Sequence, residues 1–317
     1  MKRTTFYWTW IILISCVAGL CYAMYWFYRI PPAIEPMEGS AFAESWSGNG
    51  SILTVYTPAF ESVAAADQYL NDNGLGLDVE INGKHRFYPY QILVWHEVIN
   101  DLFDDVPVLV TYSPLSDTGM AFERTVDGEE MVFSVSGSLW NNISIFVDAT
   151  SGSRWIQLYG RAADGEFAGK ELRPIMAKTI SWSDWKAAYP HGDVLTRDTG
   201  ATRDYTRNPY GNYAATPAVW YPLTSVDARL DAKTVVYAVS VGNLRAAYPA
   251  DVITSIGEAR ETVGGVPIEV TFDEALGTVR AYRLELDGNA GDELVVTRGF
   301  WFAFAAAYPG IHLYELP

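Results

Sequence analysis

A repeat within the chain constrains its fold more than any other feature of the sequence. Residues 79–128 align with residues 239–288 at one offset, without a gap. The matching pairs are Val79-Glu80-Ile81 with Val239-Ser240-Val241, Tyr88-Pro89 with Tyr248-Pro249, Val106-Pro107 with Val266-Pro267, Thr111 with Thr271, Phe122 with Tyr282, and Asp127-Gly128 with Asp287-Gly288. These pairs are types that fix strands and turns, so we predict that both copies share one backbone fold.

The two copies end alike but differ in length. Each closes with a tryptophan-containing segment that ends in Ala-Ala-Tyr-Pro, and the second copy reaches this segment 41 residues sooner. We therefore predict an enlarged first unit over 52–197 and a shorter second unit over 223–317. The segment 198–222 between them is rich in Gly, Pro, Asn, Thr and Tyr and is predicted to be a linker loop packed by its aromatic residues.

Most apolar runs in the body are short, rich in β-branched residues and bounded by Gly, Asp or Pro, as in Val106–Tyr112 and Ile143–Val147. This spacing is typical of antiparallel sheets. A helix is expected over residues 60–70. The predicted fold class is α+β, dominated by β-structure, with two repeat-related and mostly antiparallel units behind a single N-terminal transmembrane helix.

Residues 6–28 are almost all apolar or aromatic and carry no charge. A helix of this length can cross the hydrocarbon core of a bilayer. Lys2 and Arg3 precede this run, and aromatic residues crowd both of its ends, so the positive-inside rule places the body outside the cytoplasm. We predict a membrane anchor over 1–30, a spacer over 31–51, and a single-pass protein of the cell membrane. The alternative is a lipoprotein attached through Cys16, because Leu13-Ile14-Ser15-Cys16 resembles a lipobox; a cleaved signal peptide lacks an obvious cleavage site.

Charge and cysteine usage exclude several classes of function. All 38 acidic residues follow position 34, against 19 basic residues in the same part of the chain, which argues against a nucleic-acid partner. Both cysteines, Cys16 and Cys21, lie inside the apolar run, so the body is expected to form neither an internal disulfide nor a thiolate metal site.

Further ordered motifs occur between positions 85 and 215. They are Tyr88-Pro89-Tyr90-Gln91-Ile92-Leu93, His96-Glu97-Val98-Ile99-Asn100-Asp101, Val106-Pro107-Val108, Thr111-Tyr112-Ser113-Pro114-Leu115-Ser116, Phe122-Glu123-Arg124, Val135-Ser136-Gly137, Leu139-Trp140-Asn141, and Ser153-Arg154-Trp155-Ile156-Gln157 with Gly160. In these motifs the chain resembles an uncharacterised prokaryotic family, domain of unknown function 3179 (DUF3179). The resemblance implies no established activity.

One motif departs from the pattern of that family. Where the family typically has Cys-Pro-Leu-Cys, this chain has Ser113-Pro114-Leu115-Ser116. Paired thiols near a histidine suggest soft-metal or redox chemistry, and hydroxyls are poor substitutes for thiolates. The resemblance therefore leaves that chemistry in doubt for this chain.

The second copy serves as an internal control for candidate site residues, because groups that are polar in the first copy alone are not required by the shared scaffold. His96 aligns with Ile256, Glu97 with Gly257 and Ser116 with Leu276. The predicted pocket comprises His96, Glu97, Asn100, Ser113, Ser116, Asn141, Trp155 and Gln157, the last three belonging to the extra 41 residues. If the segment around His96 is helical, His96 and Asn100 lie on one face.

These residues allow two interpretations. His96 with Glu97 is a candidate general base or metal ligand, and the bland alternative is a hydrogen-bonded structural histidine. The other three histidines lie in unrelated places of the sequence, so no metal site and no cofactor are expected. The function that we expect is an extracytoplasmic binding or scaffolding module at the cell surface. Its expected partners are the membrane and, as a further partner, another surface protein or a small ligand. The alternative is a metal- or His-assisted enzyme, or a degenerate former thiol site, centred on His96 and the turn that carries Ser113 and Ser116.

Overall fold

We describe the fold from a computed structural model, which covers residues 52–316 together with the backbone of the strand Phe42–Glu44. The predicted membrane anchor and most of the spacer lie outside the described residues. Within residues 52–316, no helix is both long enough and apolar enough to traverse a bilayer.

Strands dominate the described chain. The strands are β1 (Phe42–Glu44), β2 (Phe60–Ser62), β3 (Leu75–Ile81), β4 (Lys84–Pro89), β5 (Val98–Phe103), β6 (Val106–Ser113), β7 (Thr118–Glu123), β8 (Thr125–Val126), β9 (Glu129–Glu130), β10 (Phe133–Trp140), β11 (Ile143–Asp148), β12 (Arg154–Ile156), β13 (Arg161–Ala162), β14 (Arg173–Ile175), β15 (Ala177–Ser181), β16 (Asp193–Leu195), β17 (Val235–Val241), β18 (Leu244–Pro249), β19 (Glu258–Val263), β20 (Val266–Asp273), β21 (Thr278–Leu284), β22 (Ala290–Leu294), β23 (Val296–Phe300) and β24 (His312–Leu313). The α-helices are α1 (Val63–Ala66), α2 (Tyr90–Leu93), α3 (Trp182–Ala188), α4 (Ala250–Ile256) and α5 (Trp301–Ala307), and short 3-10 helices lie at Gln157–Tyr159 and Tyr213–Ala215.

Five small sheets form a propeller-like ring. Their strand orders are β15-β3-β4-β16-β2 in sheet 1, β14-β7-β6-β5 in sheet 2, β1-β10-β11-β12-β13 in sheet 3, β23-β17-β18-β24 in sheet 4 and β19-β20-β21-β22 in sheet 5. Nearly all neighbours are antiparallel, and the parallel pairs within the sheets are β16 with β4 and β24 with β18. The expected β-dominated, mostly antiparallel architecture is thus present, whereas the sequence patterns do not predict its closure into a ring.

The strand order agrees between the two parts of the chain that the repeat aligns. Strands β3 to β7 correspond to β17 to β21 at the offset of the repeat, and β14 to β16 correspond to β22 to β24 after the extra residues. Sheet 1 therefore has the order of sheet 4, with β2 added at its edge, and sheet 2 has the order of sheet 5. The aligned pairs predicted this agreement because they fix the same strands and turns.

Turn residues show how different sequences give the same hairpins. In the β5–β6 turn, Asp104 and Asp105 have φ values of 52° and 64°, and the aligned Gly264 and Gly265 have φ values of 56° and 84°. Two consecutive residues of positive φ make the tight turn that matches the twist of a hairpin. Glycine reaches this conformation freely, and Asp tolerates it better than most residues do.

The extra residues of the first unit supply strands β10 to β13 of sheet 3, which packs on sheet 2. Its large side chains Phe133, Phe146 and Trp155 form one buried cluster with Leu109 and Phe122 of sheet 2. Burial of this aromatic surface stabilises the contact between the two sheets. We call residues 125–162, from β8 to β13, the insert, although its first four residues still belong to the aligned range 79–128.

The helix predicted over residues 60–70 is wrong in part. Phe60–Ser62 form strand β2, which pairs with β16 at the edge of sheet 1, and only Val63–Ala66 are α-helical. The Ser62 side chain accepts a hydrogen bond from the Ala65 N–H and so caps the helix at its start. Edge pairing of the preceding residues therefore outweighs their helical pattern.

Candidate functional site

The pair His96 and Glu97 lies in the tight turn between α2 and β5, and both side chains are buried. This segment is not a helix, and Asn100 lies in strand β5. Glu97 has a φ of 57°, in the left-handed region, and the aligned Gly257 has a φ of 75°. The turn thus needs a residue of positive φ, which glycine supplies without strain and Glu97 supplies at a cost. Persistence of that strain requires compensating contacts around the side chain.

The His96 imidazole is held on both of its nitrogens. Its Nδ1 lies 2.6 Å from the Leu53 carbonyl oxygen, and its Nε2 lies 2.7 Å from the Tyr205 hydroxyl. Because a carbonyl oxygen only accepts, Nδ1 carries the proton and Nε2 of the neutral ring accepts from Tyr205. Burial lowers the pKa of His96 and so favours this neutral form.

The Glu97 carboxyl group accepts hydrogen bonds from two hydroxyls. Tyr210 of the linker donates to Oε1 over 2.6 Å, and Ser144 of the insert donates to Oε2 over 2.8 Å. Burial raises the pKa of Glu97 to about 7, although both hydrogen bonds act in the opposite direction. Glu97 therefore titrates near neutral pH at the junction of the first unit, the insert and the linker.

The two serines of the Ser-Pro-Leu-Ser motif are also fully buried. The Ser113 Oγ accepts a hydrogen bond of 2.9 Å from the Ser144 N–H in β11. The Ser116 Oγ lies 2.8 Å from the Thr118 Oγ1, and Thr118 in turn donates to the Gln157 Oε1 over 2.9 Å. The hydroxyls thus tie the end of β6 and its following turn to the insert.

The remaining predicted residues bond elsewhere. Asn100 pairs with the backbone of Phe133, accepting from its N–H and donating to its carbonyl oxygen, each over 2.8 Å. Asn141 binds the N–H and hydroxyl of Thr224. The Trp155 indole donates to Asp148 within the insert. Asn100, Asn141 and Trp155 therefore have separate partners from those of His96 and the serines.

The structure brings some of the eight residues together and leaves others apart. Ser144 links Glu97 to Ser113, and Thr118 links Ser116 to Gln157. His96 is joined instead to Leu53 and to the linker. Over residues 52–316, no three His, Cys, Asp or Glu side chains are arranged to hold a metal ion. That these residues share one ligand pocket stays a prediction.

Comparison with known families places the whole body in one group. The family model described as "Protein of unknown function (DUF3179)" matches residues 49–310. The chain belongs to the DUF3179 family. The match extends beyond the motifs at 85–215 and covers most of the second unit, so the repeat is part of the domain. Comparisons with curated proteins and with solved structures found no match.

Sequence reasoning missed one polar cluster of this DUF3179 protein, on sheet 1. The Asp78 carboxylate is buried, accepts a hydrogen bond of 2.8 Å from the Trp185 indole, and lies 3.0 Å from the His85 Nδ1. The His85 ring stacks on Tyr189 with a centroid distance of 3.6 Å and an interplanar angle of 14°.

Comparison of the two copies, which made His96 a candidate, also identifies the cluster of Asp78, His85 and Trp185. The aligned residues are Ala238 for Asp78, Arg245 for His85 and Phe304 for Trp185. The guanidinium of Arg245 lies over Tyr308, which aligns with Tyr189, so a cationic or imidazole group on tyrosine is common to both copies. The buried carboxylate and the indole N–H that binds it occur in the first copy alone.

Proposed function

We propose that this DUF3179 protein is an extracytoplasmic binding or scaffolding module tethered to the cell membrane. In this proposal residues 6–28 form the anchor, and the propeller-like body consists of two repeat-related units. The observation that carries the proposal is the use of polar groups around His96. Glu97, Asn100, Ser113 and Ser116 are buried and hydrogen-bonded to the insert or its neighbours, which supports a role in holding blades together rather than in turnover.

A cysteine-labelling experiment tests the placement of the body. Residues 29–317 contain no cysteine, so one introduced thiol reports on its own position. Val226 is 79% exposed, and Val226→Cys should react with a membrane-impermeant maleimide on intact cells. The parent chain is the control for Cys16 and Cys21. Labelling that requires cell lysis would place the body on the cytoplasmic side and end the proposal.

The runner-up function is a His-assisted enzyme centred on the same turn. It is favoured by Glu97, whose buried carboxyl group has its pKa raised to about 7 at a backbone position of positive φ. Such a combination occurs at catalytic sites more often than elsewhere. Native mass spectrometry and metal analysis of the purified protein separate the two functions. A retained small molecule or stoichiometric metal that is lost in Glu97→Gln would favour the enzyme.

A further inference from the structure

A short segment at the start of the first unit covers an edge of each of two sheets. The Val55 N–H donates to the Val98 carbonyl oxygen over 3.0 Å, and the Val55 carbonyl oxygen accepts from the Asn100 N–H over 2.9 Å, so the segment runs parallel to β5 here. A few residues later, β2 pairs with β16 in the antiparallel sense. We call residues 53–62 the strap, because this one stretch closes an edge of sheet 2 and an edge of sheet 1.

The second unit has no such segment among residues 52–316. Residues 213–222, which align with the strap at the offset of the repeat, begin with the 3-10 helix Tyr213–Ala215. The backbone of Tyr221 in this stretch forms two hydrogen bonds with the Asn142 side chain of the insert. Within the described chain, β19 pairs with β20 alone and β24 pairs with β18 alone. The two edges that the strap covers in the first unit are therefore open in the second.

The open edge of β19 presents a row of backbone groups. The Gly257 carbonyl oxygen accepts from the Phe272 N–H of β20, so every second residue after Gly257 turns its N–H and carbonyl groups towards β20, and the residues between turn theirs outward. The outward-facing residues are Glu258, Arg260 and Thr262, all of them exposed. Arg260 aligns with the residue whose N–H binds the strap in the first unit. Such an edge pairs readily with an extended chain, and its side chains decide which chain fits.

An arginine joins the strap to the first unit. The Arg86 guanidinium donates to the Asp101 carboxylate over 2.7 Å and lies over the Phe60 ring of the strap, 4.1 Å from the ring centroid. The second unit keeps the acid, as Glu261, but has Ala246 at the position of the arginine. The scaffold of the second unit therefore does not supply the cation that completes this contact in the first.

Carboxylates outnumber cations at the open edge. Glu261 lies 2.6 Å from the Nε2 of His312, and Glu258 and Glu269 share the guanidinium of Arg260. Three acids thus meet one arginine and one histidine. A segment that carries Lys or Arg complements this charge, whereas a second copy of the chain would bring the same acids to the contact.

We propose that β19 and β24 form a docking surface for an extended segment of a partner protein, and that this segment carries Lys or Arg. The segment adds to β19 as the strap adds to β5, with its backbone bonded to the N–H of Arg260 and the carbonyl oxygen of Glu258. One of its cations takes the role of Arg86 beside Glu261. This inference rests on the proposed binding role and gives it a class of partner. Binding is measured on purified protein, so a negative result leaves the placement of the body to the labelling of Val226→Cys.

The test uses the purified full-length chain in a neutral detergent and the fluorescence anisotropy of a labelled peptide. The probe has the sequence of residues 52–62 with Tyr56→Lys and Glu61→Lys, and the control peptide has the unchanged sequence; both are capped at their termini. The lysine probe should bind saturably, and added salt should weaken its binding. The unchanged peptide should bind at least about tenfold more weakly, because its net charge has the sign of the edge.

Two backbone changes separate strand addition from charge attraction alone. Methylation of the Val55 nitrogen in the probe removes the donor that faces the Glu258 carbonyl oxygen and should weaken binding at least about threefold. Arg260→Pro removes an outward-facing N–H at an edge position, where proline is tolerated. It should weaken binding by a similar factor relative to Arg260→Ala, which removes the same charge and keeps the N–H.

The proposal is overturned if the lysine probe does not bind the natural chain, if the unchanged peptide binds as tightly, or if methylation of the probe leaves binding intact. The methylated probe is measured on the natural chain, so it decides the question even if Arg260→Pro fails to fold. A dimer of the natural chain that Arg260→Pro dissociates and Arg260→Ala retains would assign the edge to a second copy, and this outcome would also overturn the proposal.

Discussion

Sheets 2 and 5 have the same strand order but meet different surroundings. The insert covers sheet 2, and the face beneath it carries Val98, Leu109 and Phe122 in the buried core. The aligned residues of sheet 5 are Glu258, Glu269 and Tyr282, all at least partly exposed. Salt bridges between charged side chains cross this uncovered face, including those of Arg260 with Glu258 and Glu269. One backbone thus takes an apolar or a charged face according to what packs on it.

The same difference between the sheets gives a second explanation for residues that are polar in the first copy alone. Covering a sheet buries backbone and side-chain groups at the contact, and each of them needs a partner. Asn100 accepts a hydrogen bond from the N–H of Phe133, and Ser113 accepts one from the N–H of Ser144. Both of these N–H groups belong to the insert. Differences between repeats therefore mark interfaces as well as active sites, and a candidate site must first be tested against the packing it serves.

The largest effect should come from the aromatic pair that the two sheets align. Phe122→Ala removes a ring from the core between sheet 2 and the insert and should lower the free energy of unfolding by about 3–5 kcal/mol. Tyr282→Ala, at the aligned and partly exposed position, should cost about 1 kcal/mol. Urea denaturation of both variants measures the difference. Equal losses would mean that the insert does not create the contrast between the sheets.

The second effect depends on pH and belongs to Glu97, whose counterpart is Gly257. Its pKa rises from 4.5 to about 7 on folding, so the folded state binds the proton more tightly. This stabilisation is complete below about pH 4.5 and is lost as pH rises towards 7, by up to about 3 kcal/mol. Glu97→Gln should lack this decline. His96, whose pKa is lowered, acts in the opposite direction, so the measurement is the difference between the two chains' unfolding free energies across pH 4–8.

These first two predictions depend on features that the sequence revealed unequally. The strand order followed from aligned pairs such as Val106-Pro107 and Val266-Pro267, because local turn and strand types determine hairpins. Closure of five sheets into a ring depends on contacts between distant strands, and no local pattern encodes it. The left-handed φ of Glu97 could have been predicted from Gly257, since glycine in one repeat often marks a position of positive φ. The interpretation of the difference between Glu97 and Gly257 as a sign of chemistry stays a prediction.

The histidines show a limit of sequence proximity as a guide to contacts. His96 attracted attention because Glu97 and Asn100 follow it, yet Asn100 lies on a strand and faces the insert. In the sequence His85 lies in a place unrelated to those of the other three histidines, so it is not among the candidate site residues. Its carboxylate partner, Asp78, lies across the β3–β4 hairpin, where pairing register rather than sequence proximity decides contact.

The third effect compares Asn100 with the aligned Arg260. Asn100→Ala leaves the buried N–H and carbonyl group of Phe133 without partners, which should cost about 2–3 kcal/mol. Arg260→Ala removes exposed ion pairs and should change stability by less than about 1 kcal/mol. Thermal melting of the two variants under one condition ranks them. A larger loss for Arg260→Ala would show that charge pairing on sheet 5 is stronger than docking of the insert.

The smallest contrast concerns Ser113 and the aligned Asp273. Ser113→Ala leaves the Ser144 N–H without its acceptor inside the protein and should cost about 1–2 kcal/mol, since a buried donor loses its only described partner. Asp273 accepts hydrogen bonds from the N–H groups of Ala275 and Leu276 in a turn that is partly open to water. Asp273→Ala should lower the free energy of unfolding by about 0.5–1 kcal/mol, because water replaces those bonds.

Amide hydrogen exchange at Ser144 measures the local effect of Ser113→Ala. Faster exchange at Ser144 in Ser113→Ala, with the rest of sheet 2 unchanged, is expected if this hydroxyl ties the insert to the sheet. Unchanged protection at Ser144 would mean that the aromatic core holds the insert without it.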